Sequence, residues 1–208
     1  MTYVGIEGSS YVGKTTVGIA LEQRGYYVVP EYDAQGPFPA SDGSLEGHKA
    51  VIDELIFREL RRTEAVSRAA FVGYAFSDRT PISFLTFEDM RMRTARNAEA
   101  FALHLAVKDY AVERVDQEVS AGNIVIPDRV AVLRVASEAL FRRRVEGRGV
   151  TAVEELSNYG VQRYVADRAL AYATQYVGPD ETCLIDVDEM GAEELADRLV
   201  AMAGRDGV

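Results

Sequence analysis

Gly8, Gly13, Lys14 and Thr15 stand at the spacing G-x-x-x-x-G-K-[ST], with Ser9, Ser10, Tyr11 and Val12 in the variable places. That spacing suits the holding of a polyphosphate. Charged phosphate oxygens need donors that approach without a side chain in the way, and the two glycines allow it. Backbone N–H groups at the start of a following helix, which carries Thr16, add a favourable dipole. Lys14 brings a point charge to the β- and γ-phosphates, and Thr15 offers a hydroxyl to Mg²⁺.

These residues need a strand before them and a helix after them. Tyr3 to Ile6 is a short apolar run suited to a buried parallel strand, and the apolar face of Val17 to Leu21 continues as a helix that stops near Arg24-Gly25. Tyr26 to Val29 reads as a second strand. It delivers Glu31 and Asp33 to the carboxyl end of the sheet, where ligands of open α/β sheets sit. Gln35 to Gly47 is a Pro- and Gly-broken loop that could face a substrate. The spacing of Val51, Ile52, Leu55, Ile56, Leu60 and Val66 predicts a helix from about Leu45 to Ala70, which also carries Phe57, Arg58, Arg61, Arg62 and Arg68.

Phe71 to Phe76 is the expected third strand, ending in Ser77-Asp78-Arg79. An acid there can hold Mg²⁺ or its waters, and an arginine beside it can grip a phosphoryl group. Met90 to Val119 reads as one long helical stretch, with His104 packed on it. A strand over Val130 to Val135 follows, and then a helix capped by Ser137 that runs from Glu138 to Arg148. Arg142, Arg143, Arg144 and Arg148 crowd the end of this helix. Like charges at helical spacing repel, so some of the four should face anions. A helix from Glu154 to Ala173, a strand from Thr182 to Val187 and a helix from Ala192 to Ala203 complete the chain. This alternation predicts an α/β fold with a five-stranded parallel sheet, strands near Tyr3, Tyr27, Val72, Val132 and Leu184, and helices on both faces.

Length and composition fit that picture. The 208 residues, 48% hydrophobic, suit one α/β domain over 1–208 with a real core. A net charge of −10 argues against a surface built for a nucleic-acid polymer. Lys14, Lys49 and Lys108 are the only lysines, so basic clusters are built from arginine. Cys183 is the single cysteine, which excludes disulfide frameworks and cysteine zinc sites. With no basic leader before the first strand and no apolar run of membrane length, a cytoplasmic protein without membrane contact is expected.

Several spacings together resemble the thymidylate kinase family of nucleoside-monophosphate kinases, with deoxynucleoside kinases as close relatives. The resemblance rests on Ile6-Glu-Gly8 ahead of the phosphate loop, Leu55-Ile-Phe-Arg-Glu-Leu-Arg61, Asp78-Arg-Thr-Pro-Ile-Ser83 with Phe87 beyond it, Pro127-Asp128, and Glu138 to Gly149. It implies a P-loop NTPase three-layer fold with an arginine-rich lid over about 142–155, ATP and Mg²⁺ as cofactors, and a homodimer. Phe57 would stack on an acceptor base and Arg61 would read it. Arg79, with Ser83 and Phe87, would meet the acceptor, Asp78 and Thr15 would sit at Mg²⁺, and Arg142 to Arg148 would close over the donor phosphates, with Arg144 or Arg148 acting in the transition state. The chain departs from the family in Pro30-Glu31, which reverses the usual order, and in Phe87 and Glu88, where tyrosine and glutamine are frequent.

The leading expectation is therefore ATP-dependent phosphoryl transfer to a nucleoside monophosphate. A nucleoside or small-molecule hydroxyl kinase, in which Glu31 would serve as base, is the alternative. A nucleotide-binding regulatory module is a third, less favoured because a sensor needs neither the lid arginines nor the Asp78-Arg79 pair.

Overall fold

The computed structural model describes residues 1–32, 41–69, 73–147 and 158–204. Within them the order is β1 (Thr2–Gly8), α1 (Lys14–Gln23), β2 (Tyr27–Val29), α2 (Leu45–Arg68), β3 (Tyr74–Asp78), α3 (Ile82–Thr94), α4 (Ala98–Ser120), β4 (Arg129–Arg134), α5 (Glu138–Glu146), α6 (Tyr159–Tyr176), β5 (Thr182–Asp186) and α7 (Ala192–Ala203). All four strand pairings are parallel, in the order β2-β3-β1-β4-β5. This is the three-layer α/β sheet expected from the alternation of apolar runs. Among the described residues no helix is long and apolar enough to cross a membrane.

Strand parity decides which helices meet which strand residues, because successive side chains point to opposite faces. Val4, Ile6, Phe76, Ala131 and Leu133 pack with Val17 and Leu21 of α1 and Leu195 and Leu199 of α7. Val130 and Val132, on the other face, pack with Ile52 and Ile56 of α2, Leu85 of α3, Val107 of α4 and Ala166 of α6. Asp78 pairs in register with Ile6 and alternates in phase with Phe76, so it faces α1. Glu7 alternates with Ile6 and faces α3.

Two expectations need correction. The single helix over Met90 to Val119 is two helices, broken at Ala95, Arg96 and Asn97, where the Asn97 side chain caps α4 by accepting from Ala100 N at 2.7 Å. An additional helix, α3, begins at Ile82 directly after the third strand. That strand starts at Tyr74, because Gly73 turns at φ 85° just before it. Phe71 and Val72 lie outside the described residues, as do Asp33, Arg148 and 154–157.

Candidate phosphoryl-transfer site

The loop from Gly8 to Gly13 leaves the carboxyl end of β1 and turns into α1. Gly8 has φ 132°, and a Cβ there would lie 2.4 Å from the carbonyl oxygen of Leu133, so any side chain would push β1 off β4. Gly13 caps α1 at φ 101° without a side-chain bond, which leaves the first-turn N–H groups pointing at the cleft. Lys14 folds back along the loop, its Nζ donating to the carbonyls of Gly8 at 3.2 Å and Ser9 at 2.9 Å. It is 6% exposed. Burial and then the charge of Arg79 push its pKa down to about 8, against the pull of Asp78, Glu31 and Glu7. Ser9 is buried, while Ser10 N donates to Gln162 Oε1 of α6 at 3.1 Å and the Tyr11 ring meets Phe141 edge-on at 6.1 Å. The loop is thus tied to α5 and α6, the helices on either side of 148–157.

Thr15 and Asp78 meet as their spacing in the sheet requires. The threonine hydroxyl donates to Asp78 Oδ2 at 3.0 Å, and Asp78 Oδ1, also buried, has no partner among the described residues. A buried carboxylate oxygen left over beside a hydroxyl fits the hard, oxygen-seeking Mg²⁺ ion or one of its waters. Arg79 follows with φ 70°, a left-handed conformation that costs a non-glycine residue about 1–2 kcal/mol. That turn aims its guanidinium at Glu31, with which it pairs, and over the ring of Phe87 at 4.9 Å. Ser10, Tyr11, Gly13, Lys14, Thr15, Glu31 and Arg79 together line a cleft of about 260 Å³. Glu31, its side chain 32% exposed there, is pushed up by burial, but the charge and hydrogen bond of Arg79, with Lys14 and Arg62, outweigh this and hold it below the usual carboxylate range.

Beneath the cleft lies a charged layer that sequence reading missed. Arg62 of α2 donates to the carbonyls of Asp78 and Arg79, and Glu7 of β1 accepts from Thr80 N at 2.7 Å, from Thr80 Oγ1 at 2.6 Å and from Ser83 Oγ at 2.7 Å. Burial pushes Glu7 up despite these donors. Glu7 had a readable signal, an acid at a strand position that parity sends inward. Arg62 had little, being one of several arginines on α2.

Beside the phosphate loop a second, more apolar cleft of about 240 Å³ is bounded by Tyr11, Thr16, Arg144, Val187, Met190 and Leu195. Its partly apolar lining next to the loop suits a heterocyclic base. Val187 and Met190 were not anticipated, because no motif marks the segment after β5.

Several expected site residues stand elsewhere. Phe57 is 52% exposed and Arg61 is exposed beside it, its guanidinium 6.0 Å from the Phe57 ring, whereas Arg58, Glu59 and Arg62 point inward. Neither Phe57 nor Arg61 lines the cleft of Lys14, Glu31 and Arg79. Ser83 is buried on Glu7 and does not line the cleft, but it stands with Arg79 and Phe87 around a small enclosed pocket beside it. Arg144 donates to the carbonyls of Tyr11 at 3.4 Å, Val12 at 3.3 Å and Val187 at 2.9 Å, and so braces loop to slot where a transition-state contact was expected. Arg142 pairs with Glu138 at the surface and Arg143 is exposed. His104 lies against Glu88 at 3.2 Å, as a packed helix histidine should.

No protein-family model matches the sequence, and no curated protein matches it. Solved structures do share the fold. A thymidylate kinase from Candida albicans superposes with a TM-score of 0.64 at 13% identity, over 99% of this chain and 92% of that one. A deoxyadenosine kinase from M. mycoides, with dCMP and dCDP bound, gives 0.58 at 15% identity over the full length of both chains. NadR in complex with NAD and AMP-PNP gives 0.57 at 14% identity, this chain spanning half of that one. What these structures share with this chain is the α/β fold.

Proposed function

We propose that this chain is an ATP-dependent kinase that transfers the γ-phosphoryl group to a hydroxyl of a small, nucleoside-like acceptor. The observation that carries the reading is the half-buried Glu31 carboxylate, which lines the same cleft as Lys14 and Arg79. A hydroxyl needs its proton taken up, and Glu31 is the carboxylate that lines the cleft; its pair with Arg79 keeps it ionised and free to accept a proton, at some cost in basicity. The acceptor oxygen attacks the γ-phosphorus, its proton passes to Glu31, and the bond to the β-phosphate oxygen breaks to release ADP. Lys14, Arg79 and the N–H groups of the α1 first turn face the charge on the phosphoryl oxygens. Thr15 and Asp78 would hold Mg²⁺, which would supply neutralisation of phosphate charge.

A nucleoside monophosphate is the second reading, favoured by Arg79 standing over Phe87 at the acceptor side and by likeness to thymidylate kinase. It brings an ionised oxygen of its own and gives Glu31 no proton to take. Likeness to deoxyadenosine kinase agrees with the hydroxyl reading. Glu31→Gln keeps an acceptor for Arg79 and removes the base. Turnover should fall about 100-fold with little change in the KM for ATP, and an unchanged turnover would remove Glu31 from the mechanism.

A further inference from the structure

Arg62 does not line the cleft, and it is 2% exposed. Its Nη2 donates to the carbonyl oxygens of Asp78 at 3.1 Å and Arg79 at 2.6 Å. The guanidinium lies over the Tyr32 ring at 4.3 Å, and Nε stands 3.5 Å from Glu59 Oε2, which also accepts from the Tyr32 hydroxyl at 2.6 Å. Anchoring α2 to the sheet would not need this, since well-packed apolar side chains do that without desolvating a charge. What this arginine adds is one guanidinium nitrogen, Nη2, held between two successive carbonyls by a planar group that lies on Tyr32, while Nε and Nη1, also buried, make no hydrogen bond among the described residues. Those carbonyls belong to the turn in which Arg79 is left-handed, and Glu7 holds the amide of Thr80 from the other side.

We propose that Arg62 is a positioning residue of the phosphoryl-transfer site. By fixing the carbonyls of Asp78 and Arg79 it keeps the Asp78 carboxylate on Thr15 and the Arg79 guanidinium on Glu31. The inference rests on the kinase reading of the cleft. It assigns to a buried charged layer of α2 a task in orienting the groups that would hold the metal and the acceptor.

Calorimetric titration of ADP, with Mg²⁺ and in excess EDTA, tests this independently of turnover. The variants are Arg62→Lys and the double variant Arg62→Met/Glu59→Gln, which leaves no unpaired buried carboxylate. With EDTA both should bind ADP within about threefold of wild type, because Lys14 and the loop amides are untouched. The tightening produced by Mg²⁺ should shrink by about 10–100-fold in the double variant, as is usual when a partner behind a metal ligand is lost. Arg62→Lys should recover part of it, since one ammonium can bond both carbonyls but lacks the planar group that lies on Tyr32 and fixes the nitrogen there. Full Mg²⁺ tightening in the folded double variant, even at a lowered melting temperature, would make Arg62 a packing residue and overturn the inference. Wild-type protein that shows no Mg²⁺-dependent ADP binding would instead overturn the reading of the cleft, and this inference with it.

Discussion

Lys14→Met should stabilise the nucleotide-free protein while abolishing its response to nucleotide. The lysine is buried, and a fall in its pKa from 10.5 to about 8 means that folding disfavours its charged form. At about 1.4 kcal/mol per tenfold change in proton affinity, the cost is about 3 kcal/mol. Between pH 8 and 10.5 the unfolded chain binds more protons here than the folded one, so the penalty is full below pH 8 and fades as pH rises. Methionine removes the charge at similar length and loses two bonds, to Gly8 and Ser9, worth about 1 kcal/mol each. A net gain of about 1–2 kcal/mol remains, or about 2–8 °C in Tm for a chain of this size. Differential scanning calorimetry at pH 7 should show the variant melting higher than wild type, with the difference narrowing by pH 10. Mg·ATP should raise the wild-type Tm and leave the variant's unmoved. A variant that melts lower at pH 7, or that still responds to Mg·ATP, would refute the assignment of Lys14 as a lysine held at a cost for phosphate.

Arg129, buried between β4 and the end of α7, pairs with Glu181 at 2.7 Å and donates to the carbonyls of Met202 and Ala203. Arg129→Met should lower the urea midpoint by the equivalent of about 2 kcal/mol and leave turnover per folded molecule intact; an unchanged midpoint would count against this cap. Phe57→Ala, at an exposed position, should change stability by less than about 0.5 kcal/mol and the acceptor KM by less than about twofold. A tenfold rise in KM would return Phe57 to the acceptor pocket.

The phosphate loop, Asp78 and Arg79 were legible because each is set by a short local pattern at a strand end, where topology leaves little choice of direction. The inward face of α2 was not. Arg58, Glu59 and Arg62 are buried because they pair with one another and with Glu54, Tyr32 and the Asp78-Arg79 backbone, so a buried charged stripe looks like a solvated one in sequence. The resemblance at Leu55 to Arg61 singled out Phe57 and Arg61, which are exposed, while Arg58 and Arg62, each one residue and so about 100° further round the helix, are buried. Arg144 was read with its neighbours as part of a lid, yet one residue, about 100° on α5, separates Arg144, which braces the loop, from Arg143, which faces solvent. The break between α3 and α4 carries neither glycine nor proline, and Asn97 alone marks it.

The most direct test of the central claim is phosphoryl transfer to each of a panel of nucleosides and to its own monophosphate, followed as ADP release under saturating Mg·ATP. The account predicts that bare hydroxyl acceptors are preferred in kcat/KM and that this preference is lost in Glu31→Gln. Consistent preference for the monophosphates, with Glu31→Gln as active as wild type, would contradict it.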